Sequence, residues 1–151
     1  MTIQAKYVHT NIVARDWQSL ARFYQNVLGC LPVLPEREYS GKELDRGTGL
    51  NGVTLAGIHL RLPGNGEDGP TLEIFQYSPP GDSRERQIHQ PGFGHLAFAV
   101  SNVREAQEEV LANGGTKIGE VTGLELPTGA RVEWCYVADP EGNGIELQTW
   151  S

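Results

Sequence analysis

Apolar stretches along this chain are each broken by one polar residue, and the breaks recur in its two halves. In the first half His9 interrupts Tyr7-Val8-His9-Thr10-Asn11-Ile12-Val13, and Glu73 interrupts Thr71-Leu72-Glu73-Ile74-Phe75. In the second, His95 interrupts Phe93-Gly94-His95-Leu96-Ala97-Phe98-Ala99-Val100, and Glu146 interrupts Gly144-Ile145-Glu146-Leu147-Gln148. Beyond each histidine the apolar spacing changes from two to between three and four, the period of a helix. Trp17, Leu20, Ala21, Tyr24, Val27 and Leu28 predict a helix capped by Asp16 and ended by Gly29. Val103, Ala106, Val110 and Leu111 predict a second, with Asn102 and Glu105 at capping-box spacing and Asn113-Gly114-Gly115 as its end. Both caps lie seven residues beyond their histidine (16 − 9 and 102 − 95), and the glycines 20 beyond (29 − 9 and 115 − 95).

Each predicted helix precedes three strand-like segments: residues 31–39, 53–62 and 71–77, then 116–126, 130–138 and 144–150. Turn chemistry separates them, with Pro63-Gly64-Asn65-Gly66, Pro127-Thr128-Gly129 and Asp139-Pro140-Glu141-Gly142-Asn143-Gly144. Both halves therefore read βαβββ. One domain is expected, made of a first module at 5–78, a linker at 79–92 and a second module at 93–151. The surplus length of the first module falls at 40–51, an expected loop.

Strand side chains alternate between faces, so parity sorts the residues. His9 shares a face with Asn11 and Val13, and Glu73 with Phe75 and Tyr77. His95 goes with Ala97 and Ala99, and Glu146 with Gln148 and Trp150. The opposite faces carry the heavier apolar load and are expected to pack on the helices. Taken singly, a histidine or glutamate on a strand is usually structural or solvated. Two imidazoles and two carboxylates at equivalent repeat positions point instead to one divalent ion. That donor set suits zinc, nickel, cobalt, manganese or iron(II) better than the harder calcium or magnesium.

Composition narrows the class. A chain of 151 residues with 38% hydrophobic and 21% charged residues has the makings of a packed core. A net charge of −7 without a basic cluster argues against nucleic acid as a partner. No stretch is apolar enough to span a bilayer, so no membrane partner is expected. Cys30 and Cys135 are too few for a disulfide framework and read as free thiols of a cytoplasmic protein.

The segments His9-Thr10-Asn11-Ile12, Phe23-Tyr24, Leu28-Gly29, Gly94-His95-Leu96-Ala97-Phe98 and Asp139-Pro140-Glu141-Gly142-Asn143-Gly144-Ile145-Glu146-Leu147 resemble the vicinal oxygen chelate superfamily, also called glyoxalase/bleomycin-resistance/dioxygenase. The resemblance covers nearly the whole chain. It implies an α+β fold in which two βαβββ modules form a cupped, mostly antiparallel eight-stranded sheet with the metal in the cup. It places His9, Glu73, His95 and Glu146 on the four ligand positions of glyoxalase I. Because extradiol dioxygenases and fosfomycin-resistance transferases use two histidines and one glutamate, Glu73 favours the lyase and isomerase branch. Val13 stands where glyoxalase I has an arginine that helps hold glutathione, which argues against that cosubstrate. Glu73 and the Asp139-Pro140-Glu141-Gly142 turn likewise depart from methylmalonyl-CoA epimerase. Related proteins often form dimers, so a homodimer is expected.

The chemistry implied is removal of a proton next to a metal-bound carbonyl or enediolate oxygen of a small substrate, with Glu146 or Glu73 as the base. An iron(II) dioxygenase and a metal-free binding protein of drug-resistance type are the alternatives. By parity His59 and Arg61 face the site, His59 as an auxiliary acid or base, and Asn11, Tyr77, Gln148 and Trp150 are candidate substrate contacts. Gly47-Thr48-Gly49-Leu50-Asn51-Gly52 matches the dinucleotide fingerprint but precedes a strand rather than a helix, so it is read as loop.

Overall fold

The computed structural model describes all 151 residues, which divide into two compact units, residues 1–82 and 83–151. The first unit runs β1 (His9–Val13), α1 (Trp17–Leu28), β2 (Leu31–Tyr39), α2 (Lys42–Thr48), β3 (Thr54–Arg61) and β4 (Thr71–Ser78). The second runs β5 (His95–Ala99), α3 (Val103–Ala112), β6 (Thr116–Lys117), β7 (Thr122–Glu125), β8 (Arg131–Ala138) and β9 (Gly144–Trp150). This is an α+β protein of two mixed sheets. In the first the strand order is β1-β4-β3-β2; in the second it is β5-β9-β8-β6, with β7 also on β8.

The repeat is visible in the hydrogen bonding. In each unit the strand that opens on histidine lies parallel to the strand that carries glutamate, and every other pairing is antiparallel. The helix caps are those the sequence predicts. Asp16 accepts from the backbone N–H of Ser19, and Asn102 from those of Arg104 and Glu105. Apolar parity also holds. Helix α1 packs on β3 and β4, burying Leu20, Ala21 and Tyr24, and the sheet buries Ile58, Leu60, Leu72 and Ile74. Helix α3 packs on β8 and β9, burying Val103 and Val110, with Cys135, Val137, Ile145 and Leu147 buried in the sheet. Pro32 and Pro35 are tolerated because β2 is an edge strand, where a missing N–H costs no ladder bond.

Two expectations need correction. The segment 40–51 is not simply a loop: Lys42–Thr48 forms α2, with Glu43 and Asp45 in its first turn. Gly49 ends it at φ 73, donating its N–H to the Asp45 carbonyl, so the first glycines of the rejected fingerprint close a helix instead of opening one. The helix buries none of its residues, so it leaves no periodic apolar stripe to read. The second correction is the strand count, nine instead of eight, because the expected strand at 116–126 is divided. Lys117 pairs with Val137 and Thr122 with Trp134, so five steps along one chain (122 − 117) face three along the other (137 − 134). The N–H groups of Ile118 and Gly119 both turn to the Tyr136 carbonyl, and the ladder breaks there.

Candidate metal centre

Glu73 is held at the middle of the first sheet. Across the parallel ladder its register partner is Asn11 on β1, and across the antiparallel ladder it is His59 on β3. Partners in register point to the same face, so three polar side chains are forced together. Asn11 Nδ2 donates to Glu73 Oε1 at 2.9 Å. His59 Nε2 lies 3.0 Å from Oε2, and His9 Nε2 lies 3.7 Å from Oε1. The carboxylate thus sits between two imidazoles whose rings meet edge to face, centroids 5.8 Å apart. Glu73 is the most sheltered of the three and His9 the most open, at 12% and 38% side-chain exposure, so the group can be reached from solvent.

Burial pushes the His59 pKa below its usual 6.5. Attraction to Glu73 offsets this in part, while Arg37, His9 and Arg61 push in the same direction as burial. That shift favours the neutral ring, whose Nε2–H can donate to Glu73 Oε2 across the 3.0 Å contact. With the proton on Nε2, Nδ1 is the acceptor facing the Thr71 hydroxyl at 3.4 Å. Phe75 closes the inner side, its ring 5.7 Å from that of His59.

The second unit repeats the arrangement with one change. His95 Nε2 lies 2.9 Å from Glu146 Oε2. The register partner of Glu146 on β8 is Tyr136, in the place His59 holds beside Glu73, and its ring lies 5.1 Å from that of His95. Asn11 is matched by Ala97, so the first carboxylate has an amide brace that the second lacks. Gly144 stands opposite His95, and a Cβ there would come within 3.3 Å of the His95 Cβ and 3.0 Å of the Gly94 carbonyl. The turn before it is tied by buried Asp139, whose carboxylate accepts from the backbones of Glu141 and Asn143 and from the Asn143 amide.

The donors fit a divalent ion. Nitrogen and oxygen ligands on a zinc-sized ion lie about 2.0–2.2 Å from it, hence within about 4.4 Å of one another. One ligand atom each from His9, His59 and Glu73 lies within 4.8 Å of the others, close to that spacing. The imidazole–carboxylate pair of the second unit is closer still.

The other candidates sort by their partners. Arg61 turns its guanidinium to the Gly69 carbonyl in the β3–β4 connection, and Arg37 to the Pro35 carbonyl. Tyr77 stays on the Glu73 face, opposite Leu55. Gln148 accepts from Trp150 Nε1 at 2.5 Å, and Trp150 is exposed. Sequence reasoning set His59 on the correct face but missed its contact with Glu73, and it missed Tyr136. Both follow from hairpin register, and the two hairpins differ in span: 14 residues from His59 to Glu73 (73 − 59) but 10 from Tyr136 to Glu146 (146 − 136). Aligning the histidines therefore does not align these two residues.

Two βαβββ units, each with an imidazole–carboxylate couple, make an α+β protein of duplicated plan. The chain belongs to the Glyoxalase/Bleomycin resistance protein/Dioxygenase superfamily, whose family model it matches over residues 6–147. No curated protein matches it. Among solved structures it is similar to a glyoxalase family protein from Bacillus cereus, at 19% identity and a TM-score of 0.74, over 99% of this chain and 95% of that one. It is also similar to the trypanothione-dependent glyoxalase I of Leishmania major, at 22% identity and 0.62, over 97% and 87%. A third is the fosfomycin resistance protein of Listeria monocytogenes, complexed with Mn(II) and sulfate, at 16% and 0.54, over 99% and 93%. At these identities the likeness is one of fold. No helix is long and apolar enough to cross a membrane.

Proposed function

We propose that this chain is a metal-dependent lyase or isomerase of the glyoxalase type, with His9, Glu73, His95 and Glu146 as metal donors. The observation that carries the reading is the repeated couple, His9 with Glu73 and His95 with Glu146, at equivalent strand positions of both units. A bound divalent ion supplies Lewis acidity, stabilising charge that develops on a substrate oxygen. Zinc, nickel, cobalt, manganese and iron(II) all suit the donors.

The chain's own part is to hold the donors and to move a proton from the carbon next to a small substrate's carbonyl. Glu146 is the better base. It contacts His95 and has Ala97 where Glu73 has the Asn11 amide, so its carboxylate is the freer of the two to swing. Glu73 is braced by Asn11 and His59 and is better suited to stay in place. Tyr77, Gln148 and Trp150 are the proposed substrate contacts, while Asn11 and Arg61 serve by positioning. Val13, an exposed apolar residue, favours a substrate other than a glutathione conjugate. The setting proposed is a cytoplasmic homodimer, in keeping with two free cysteines.

A metal-reconstituted screen of α-oxo and α-hydroxy carbonyl compounds in D2O tests this. Deuterium enters beside the carbonyl with the wild type and is lost in Glu146→Gln while metal content is kept. Wild-type exchange in Glu146→Gln and in Glu73→Gln alike rejects a glutamate base. A second reading, an iron(II) dioxygenase, is favoured by the two-histidine, one-carboxylate makeup of the first unit. Oxygen uptake with iron(II), in the absence of solvent exchange, selects it.

A further inference from the structure

Two arginines flank the candidate centre on the first sheet, and neither has an acid to neutralise it. The row of register partners that carries His59, Glu73 and Asn11 lies between two others. On one side stand Arg61, Thr71 and His9; on the other stand Arg37, Gly57, Phe75 and Val13. Register partners share a face, so both arginines lie on the face of Glu73, and both are half-buried. The ion pairs of the chain join His9 and His59 to Glu73, His95 to Glu146 and Lys117 to Glu120. Arg37 and Arg61 instead donate to neutral carbonyls, those of Pro35 and Gly69. We infer that Arg37, backed by the charge of Arg61, holds a carboxylate of the substrate, a small carbonyl compound with its acid group several bonds from the reacting centre.

The acids next to Arg37 in sequence face the other way. Glu36 lines a groove between α1 and β2 with Arg22 and Ile58, and Glu38 pairs with Ala56, so both lie on the helix side of the sheet. In a chain of net charge −7, positive charge is thus left uncompensated on the face of the candidate centre. That charge reaches the centre, since Arg37 and Arg61 both help to hold the His59 pKa down. Buried Phe75 lies across Gly57, where a Cβ would come within 2.4 Å of its Cδ1, and sets an apolar wall in the same row as Arg37. Attraction between charges strengthens where such a wall displaces water. A carboxylate matches the planar guanidinium fork and makes a stronger acceptor than the carbonyl it would replace. Strands β2 and β4 are two spacings apart, about 10 Å, so an acid group held at Arg37 cannot adjoin a carbonyl held at Glu73. Nor is this the Val13 position, which lies on β1 at the opposite edge of the sheet. The rival account is that both arginines are ordinary solvated side chains.

The substrate class rests on the lyase or isomerase reading above, but the test of the subsite is binding and needs no turnover. Monomethyl glutarate carries one carboxylate and one ester carbonyl; dimethyl glutarate is its uncharged counterpart. Both are titrated into the full chain, with and without Zn(II), and followed by NMR. The monoester should bind the wild type at least about 10-fold more tightly than the diester. Arg37→Gln should weaken monoester binding by about 10–100-fold, the worth of a hydrogen bond between charged groups, and leave the diester unaffected. Arg61→Gln should weaken it by a smaller factor. Arg22→Gln removes the same charge from the helix side and should change nothing. Circular dichroism confirms folding, and Arg37→Lys, which keeps the charge but loses the fork, should retain part of the preference even if Arg37→Gln is unstable. Equal binding of the two esters overturns the inference, as does an equal loss in Arg22→Gln, which would make net charge the cause. Tighter binding of methyl phosphate than of the monoester overturns the assignment to a carboxylate. Solvent exchange with neutral carbonyl compounds and no Arg37-dependent binding sinks this inference and spares the reaction. Arg37-dependent binding in a chain that exchanges no substrate does the reverse.

Discussion

Gly57 on β3 offers a test that joins packing to the candidate site. It is the register partner of Phe75, two pairs along from His59 and Glu73. A Cβ at Gly57 would lie 2.1 Å from the Ile74 carbonyl oxygen, 2.4 Å from Phe75 Cδ1 and 2.9 Å from Phe75 Cα. Two of these obstacles are backbone, so a rotamer change cannot relieve the clash; β3 and β4 must separate locally. Adding carbon to a packed interior typically costs about 1–3 kcal/mol, and a backbone obstacle puts Gly57→Ala towards the upper end. For a chain of this size each kcal/mol lowers Tm by roughly 2–4 °C, so a fall of about 4–12 °C is expected. Thermal unfolding by circular dichroism measures it. Gly47→Ala is the control: Gly47 lies inside α2 with nothing within 4 Å of its added Cβ, and the change should stabilise by about 0.5–1 kcal/mol. A Gly57→Ala protein melting within about one degree of wild type would refute the reasoning. So would full rescue by Phe75→Leu, which leaves the carbonyl obstacle in place.

Two further predictions follow from local geometry. Replacing the α3 cap, Asn102→Ala, removes the acceptor for the Arg104 and Glu105 N–H groups and should cost about 1 kcal/mol in urea unfolding; no change in midpoint would mean water replaces the cap freely. The Cys30 thiol is buried and pushed up to about 11, so its thiolate fraction at pH 8 is about one in a thousand, growing tenfold per pH unit up to that value. A thiol reagent should therefore label it only on unfolding, and rapid labelling of the native protein at pH 8 would contradict the burial.

Local periodicity made much of this protein legible before folding was considered. The stripe from Trp17 to Leu28 and the caps at Asp16 and Asn102 are where the sequence predicts them, because a helix writes its period and its ends into neighbouring residues. Strand parity likewise assigns His9, Glu73 and His59 to one face, since alternation needs only adjacent residues. Helix α2 was illegible for a physical reason: it buries nothing, so no apolar repeat marks it. The divided strand at β6 and β7 was hidden too, because a bulge is a mismatch between two chains and no single segment records it. What the tertiary structure alone decided is which polar residue stands beside each glutamate. Hairpin register depends on the length and path of the connection between two strands. Those connections differ between the units, setting an imidazole against Glu73 and a phenol against Glu146.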